Sequence, residues 1–219
     1  MVSERKAKKK GPKGKKNPAS ITEDNLVIDE KGRTLLSIAC ERGDLEEVSR
    51  LLERGVDVNT RDLKRLTPLM IACSQGHLDI IRLLLKKGAN IKSRDRTHKN
   101  SLTLSCERDL HDVMKVLLDH GADVNARDCH GETALAVSCR RKNLEITDFL
   151  VDCGSDLSHT DRHGRKPLMI ACADGNTNLV EILTKTGGGI NIKNKRGESP
   201  LSCTRSLRIR TRWWSLLFD

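Results

Sequence analysis

Residues 67–89, TPLMIACSQGHLDIIRLLLKKGA, decide the fold, because they encode two short helices joined by a turn. Thr67 is a favourable N-cap, and Pro68 is a favourable first helical residue because the N–H of that position has no partner within a helix. Gly76 ends the first helix, and Gly88 ends an amphipathic second helix. Helices this short cannot bury their apolar faces alone, so other parts of the chain must cover them.

The covering segments are further copies of the same unit, because the pattern returns every 33 residues. No insertion or deletion disturbs the register between Asp29 and Gly197. The most regular positions are Leu36, Leu69, Leu102, Leu135, Leu168 and Leu201; Cys40, Cys73, Cys106, Cys139 and Cys172; and Gly55, Gly88, Gly121, Gly154 and Gly187. A fixed period in this range indicates a stacked repeat array, in which each unit buries its apolar face against its neighbours.

A period of 33 with T-P-L-x-x-A and G-A-D-V-N-x-R-D resembles the ankyrin repeat, most clearly at Thr67–Cys73 and Gly121–Asp128. The resemblance implies an all-α ankyrin-repeat solenoid of stacked helix–turn–helix units with projecting β-hairpin turns. We expect a basic disordered tail over residues 1–28, an array over residues 29–204 and a degenerate C-terminal cap or tail over residues 205–219. The expected repeats start near residues 29, 62, 95, 128, 161 and 194.

The copies are unequal. The expected first helices cover residues 34–42, 67–75, 100–108, 133–141 and 166–174, and the second helices cover residues 44–54, 77–87, 110–120, 143–153 and 177–186. The third copy has His98 and Asp109 where glycines are usual and His111 where the first, second and fourth copies have leucine, so we predict that it is the weakest unit. The sixth copy starts with GESPL and then departs from the pattern, which leaves a capping helix, a frayed end and a partner-docking peptide as open alternatives for the end of the chain.

Composition limits the function classes. The chain has 219 residues and no apolar run long enough to span a membrane, and its basic N-terminus does not resemble a secretory signal, so we expect an intracellular protein of the nucleus or cytoplasm. Five of the eight cysteines recur at one helical position, too far apart for disulfides, and we expect them to be small core residues. Metal-ligand spacing, phosphate loops and catalytic motifs are absent, so we expect no metal, no cofactor and no enzyme activity.

The formal net charge of +10 is concentrated at the two ends. Residues 1–19 carry +7 and residues 193–219 carry +5, which leaves −2 for residues 20–192. The run RKAKKKGPKGKK is typical of a nuclear-import signal, of weak non-specific contact with RNA or the ribosome, or of a solubilising tail. Its basic residues are Arg5, Lys6, Lys8, Lys9, Lys10, Lys13, Lys15 and Lys16.

The ankyrin resemblance also implies which positions face the concave surface. Fifteen of them are basic and five are acidic (Glu30, Glu41, Glu107, Glu132 and Asp174), which predicts +10 on one face. We expect that face to bind a protein partner that is acidic or phosphorylated. The predicted partner-binding residues are Arg33, Arg42, Arg61, Lys64, Arg94, Arg96, Lys99, Arg108, Arg127, Arg140, Arg141, Arg162 and Arg165; Lys31 and Lys193 complete the fifteen.

Two functional interpretations remain open. The first is a non-enzymatic intracellular scaffold or adaptor, monomeric, that binds its partner through the array. The alternative is a nuclear or ribonucleoprotein-associated regulatory factor that binds polyanions through its basic N-terminal tail. Aromatic residues are only 2% of the chain, so the stacking surfaces that single-strand recognition needs are scarce.

Overall fold

A computed structural model describes residues 29–161, 163–187 and 193–203, and these ranges contain ten α-helices. The helices are α1 Leu35–Arg42, α2 Leu45–Glu53, α3 Pro68–Gln75, α4 Leu78–Lys86, α5 Ser101–Cys106, α6 His111–Asp119, α7 Ala134–Arg141, α8 Leu144–Asp152, α9 Pro167–Ala173 and α10 Thr177–Lys185. They form five consecutive antiparallel pairs, so the prediction of an all-α ankyrin-repeat solenoid is confirmed.

The helices stack in two rows. The first helices of the repeats, α1, α3, α5, α7 and α9, pack against one another in chain order, and each packs against its own second helix. The repeated leucines of the first helices are almost fully buried, as are apolar side chains such as Val48, Ile81 and Leu117 from the second row. The core is therefore a continuous apolar layer that runs along the array, as stacking of identical units requires.

Capping residues explain where the first helices begin and end. The side chains of Thr34, Thr67, Asn100 and Thr133 each accept a hydrogen bond from the backbone N–H three residues later. At the other end, Gly43 and Gly76 adopt left-handed conformations, with φ of 80° and 86°, which a glycine adopts without steric cost. The helix boundaries therefore follow local backbone chemistry.

The third repeat departs from this capping pattern at the positions where its sequence lacks the usual glycines. Helix α5 has only six residues and ends before the expected residue 108. His98 and Asp109, which replace glycines, take φ of 62° and 56°, a conformation that is unfavourable for residues with a Cβ. His111 packs edge-on against Phe149 of the next repeat, with 4.6 Å between ring centroids. The low stability of this repeat remains a prediction.

The turns at the start of the repeats are termed fingers here: residues 29–33, 62–66, 95–99, 128–132, 161–165 and 194–198, of which residue 162 lies outside the described residues. In the second finger the Asp62 carboxylate accepts hydrogen bonds from the N–H groups of Lys64 and Leu66, at 2.9 and 2.7 Å. Neighbouring fingers are joined by backbone bonds, such as Leu63 N–H to Lys31 C=O at 2.9 Å. The part of the chain that the structure describes contains no strand, so these turns are held by local hydrogen bonds.

The repeated cysteines lie in the core. Cys40, Cys73, Cys106, Cys139 and Cys172 are buried free thiols, and burial raises their pKa to about 12. They are therefore packing residues, protonated at neutral pH and unreactive.

Candidate functional site

The fingers and the first helices together form the surface that carries the predicted partner-binding residues. A groove of about 240 Å³ opens on it near the N-terminal end of the array. It is lined by Lys31 and Lys64 from the first two fingers, by Arg108 from the turn after α5, and by Leu66 and Ile71. The paired Arg33 and Glu41, the Asp62 carboxylate, Ser74 and Gln75 complete the lining. Basic groups from three repeats thus meet at one place beside apolar side chains.

Five of the predicted partner-binding residues are already paired with carboxylates of the chain. Their ion pairs are Arg33 with Asp29 and Glu41, Lys99 with Glu107 at 2.6 Å, Arg140 with Glu132 at 2.8 Å, Arg141 with Asp109, and Arg165 with Asp161 at 2.8 Å. These partners reduce the excess positive charge expected for the concave face. A ligand that used one of these cations would have to compete with a carboxylate at hydrogen-bond distance.

The pair of Arg141 with Asp109 was missed by sequence reasoning. Asp109 belongs to the third repeat and Arg141 to the fourth, so the contact joins neighbouring units, and the Asn143 side chain donates a further hydrogen bond to Asp109 at 3.0 Å. The hydrogen bond from Arg141 is the main reason why the pKa of Asp109 is lowered. From the sequence alone, Asp109 is only a substitution at a position where glycine is usual. The 32-residue separation gives no local signal for the pair.

Two other predicted binding residues hold neighbouring fingers together. The Arg94 guanidinium donates to the backbone carbonyls of His98 and Arg127. Arg127 donates in the same way to the carbonyl of Thr160, at 3.0 Å, one repeat further on. Because each arginine bonds to the equivalent position of the next repeat, its donors are used for stacking and are less available to a partner.

The remaining described members of the set are exposed, and their side chains have no hydrogen-bond or ion-pair partner within residues 29–161, 163–187 and 193–203. They are Arg42, Arg61, Lys64, Arg96 and Arg108, all of them in the first three repeats. Arg162 lies outside the described residues, as do the basic residues predicted for nuclear import between positions 5 and 16. Within the predicted set, the described cations without a partner therefore all belong to the first three repeats.

A family described as "Ankyrin repeats (3 copies)" matches residues 15–95 and 92–161, and one described as "Ankyrin repeats (many copies)" matches residues 150–202. These matches cover most of the chain. The chain belongs to the ankyrin repeat family. No curated protein is significantly similar to it. Ankyrin repeats generally mediate protein–protein interactions and are typically non-enzymatic modules.

The chemistry of this ankyrin array fits a binding surface. Among the residues that the structure describes, no group of three or more His, Cys, Asp or Glu side chains is placed to hold a metal ion. No helix within those residues has the length and apolar character needed to cross a membrane. Cys129 and Cys153 are the exposed thiols, and burial together with nearby acidic residues raises the pKa of Cys153. What the array offers to a ligand is a set of exposed cations that have no partner among the described residues.

Proposed function

We propose that the chain is a non-enzymatic scaffold or adaptor that binds an acidic or phosphorylated protein partner through the concave face of its ankyrin array. The observation that carries this proposal is the group of exposed cations without intramolecular partners, Arg42, Arg61, Lys64, Arg96 and Arg108. Among the described residues, these five have no carboxylate at ion-pair distance, unlike Arg140, Arg141 and Arg165 of the later repeats.

Their physical effect follows from their number and exposure. Unpaired guanidinium and ammonium groups donate strong, charge-assisted hydrogen bonds to carboxylates and phosphates, and arginine does so with two parallel bonds. Clustered positive charge also accelerates encounter with an acidic partner, and salt weakens this attraction. The proposal therefore predicts a preference for acidic ligands and a strong dependence on ionic strength.

The experiment that tests it selects peptides from a random displayed library on the immobilised full chain, at about 0.05 and 0.3 M NaCl. We expect enrichment of Asp and Glu at low salt that fades at high salt and is lost in the variant R96E/R108E. The matched control is K115E/K185E, which changes the net charge equally on exposed positions of the second helices. Selection without acidic enrichment, or equal loss in both variants, would contradict the proposal.

A second candidate function rests on the +7 charge of residues 1–19, which lie outside the described residues. In this alternative the tail binds RNA or another polyanion, in the nucleus or on a ribonucleoprotein. Replacing the eight Lys and Arg of residues 5–16 by Gln in the full chain separates the two functions. Loss of binding to a mixed-sequence RNA oligonucleotide, with peptide selection unchanged, would assign polyanion binding to the tail and partner binding to the array.

A further inference from the structure

The second repeat lacks an ion pair that neighbouring repeats share. In the first, third and fourth repeats, the last finger residue pairs with the residue eight positions later, near the end of the first helix. These pairs are Arg33 with Glu41, Lys99 with Glu107, and Glu132 with Arg140. The corresponding residues of the second repeat are Leu66 and Ser74, which cannot form an ion pair.

This difference leaves apolar surface in the groove described above. Leu66 is half-buried, and Ser74 directs its hydroxyl to the Ile71 carbonyl at 2.8 Å, so neither side chain bridges the finger and the helix. Both residues line the groove together with Ile71. Leu66 is also the only uncharged residue at this finger position in the six copies. The fifth repeat also lacks this pair, because residue 173 is alanine, but its finger residue Arg165 is charged and pairs with Asp161. Only in the second repeat does a missing pair coincide with an apolar finger end.

Unpaired cations lie on either side of the gap. Lys31 of the first finger and Lys64 of the second finger line the groove and are exposed. Arg108 is free for a specific reason: its counterpart in the next repeat, Arg141, pairs with Asp109, but the residue equivalent to Asp109 that would face Arg108 is Gly76. The groove therefore combines Leu66 and the largely buried Ile71 with three cations that have no partner among the described residues, beside the Arg33–Glu41 pair and Asp62.

We infer that this second-repeat groove is the centre of the partner site, and that it binds an extended acidic segment in which an apolar side chain lies between glutamate or aspartate residues. The apolar side chain contacts Leu66 and Ile71, and the flanking carboxylates bond to Lys31, Lys64 and Arg108. Charge complementarity to Lys31, Lys64 and Arg108 argues for the partner chemistry, and the apolar Leu66 at a finger position that is charged in the other copies argues for the place. This inference rests on the proposed function and states which part of the array carries it.

The test measures binding of a fluorescein-labelled peptide, GSGEELEEGSG, to the full chain by fluorescence anisotropy. The variant L66R/S74E rebuilds the ion pair of the first repeat across the groove without changing the net charge. The control E132R/R140E reverses an existing pair on the same surface, also without changing the net charge. We expect Kd to rise at least about tenfold in L66R/S74E and less than about twofold in the control, since charge-assisted and apolar contacts of this kind are worth a factor of ten or more.

A second peptide, GSGEESEEGSG, tests the apolar contact. It is expected to bind the wild type more weakly and to distinguish less between wild type and L66R/S74E. Far-ultraviolet circular dichroism checks folding, and L66K/S74E, which copies the Lys99–Glu107 pair, replaces L66R/S74E if that variant does not fold.

Three outcomes would overturn the inference: unchanged affinity in the rebuilt-pair variant, equal effects in that variant and its control, or no saturable binding of the leucine peptide below about 1 mM. The proposed function would survive each of these outcomes if the library selection still gave salt-dependent acidic peptides that R96E/R108E no longer binds.

Discussion

Lys142 occupies a backbone conformation that favours glycine, and replacing it should stabilise the protein. It follows α7 with φ of 62°, at the position where Gly43 and Gly76 end α1 and α3. Its side chain is exposed and has no partner within the part of the chain that the structure describes. The change Lys142→Gly therefore removes strain without removing a packing contact.

The magnitude is the difference between two opposing effects. A residue with a Cβ costs roughly 1–2 kcal/mol in the left-handed conformation. Glycine returns roughly 0.5–1 kcal/mol of this, because it makes the unfolded chain more flexible. The expected gain in free energy of unfolding is thus about 0.5–1 kcal/mol, which corresponds to a rise in Tm of about 2 °C for an array of this length.

The assay is thermal and urea unfolding of the full chain, followed by circular dichroism. Lys142→Ala is the control, because alanine removes the same charge and side chain but keeps the Cβ in the left-handed conformation. We expect no gain for alanine. An equal rise for both variants, or no rise for glycine, would refute the argument, since it would show that the backbone conformation at Lys142 carries no strain.

Three further predictions concern packing, thiols and pH. Leu117→Ala should lower the free energy of unfolding by about 3 kcal/mol in urea titration, because Leu117 is fully buried; a loss below about 1 kcal/mol would indicate a loosely packed third repeat. With a disulfide reagent at about pH 8, Cys129 and Cys153 should react first and the buried thiols only after unfolding; mass spectrometry that finds early modification of the repeated cysteines would contradict their burial. Arg141→Gln should cost less than about 1 kcal/mol at neutral pH, as its pair with Asp109 is exposed, and the difference from wild type in urea midpoint should vanish as the pH falls through the lowered pKa of Asp109. A constant difference down to about pH 3 would show that Arg141 acts through something other than that carboxylate.

The sign of this last effect follows from the lowered pKa of Asp109. A carboxylate whose pKa is lower in the folded state stabilises that state above its unfolded pKa, and this stability disappears as the carboxylate is protonated. The difference between wild type and Arg141→Gln is therefore present at neutral pH and lost in acid.

The fold could be predicted because its causes are local and repeated. Thr67 caps the start of α3 and Gly76 ends it, and both effects depend on local backbone chemistry. The 33-residue period indicates which helix faces stack on one another. Errors were confined to places where the local signal is weak, such as the early end of α5 at Cys106. Repetition helps because each copy supports the interpretation of the others.

The candidate site was predicted only in outline. The 33-residue repeat register placed the basic residues on one surface. It could not show which of them form ion pairs with carboxylates of the same chain. The pair between Arg141 and Asp109 spans 32 residues, and the bonds of Arg94 and Arg127 run to backbone carbonyls, for which side-chain identity gives no signal. The importance of Leu66 could not be predicted, because a leucine at this position is informative only when its charged counterparts in other repeats are known to form ion pairs.

The central claim is that Arg42, Arg61, Lys64, Arg96 and Arg108 are free and bind an acidic partner, while Arg140, Arg141 and Arg165 are neutralised by carboxylates. Its most direct test is phenylglyoxal labelling of the full chain with and without the peptide GSGEELEEGSG, with each arginine followed by mass spectrometry. We predict fast labelling of Arg96 and Arg108, slow labelling of Arg141 and Arg165, and protection of Arg108 by the peptide. Equal labelling rates in both halves of the array, or protection of Arg141 instead of Arg108, would contradict the account.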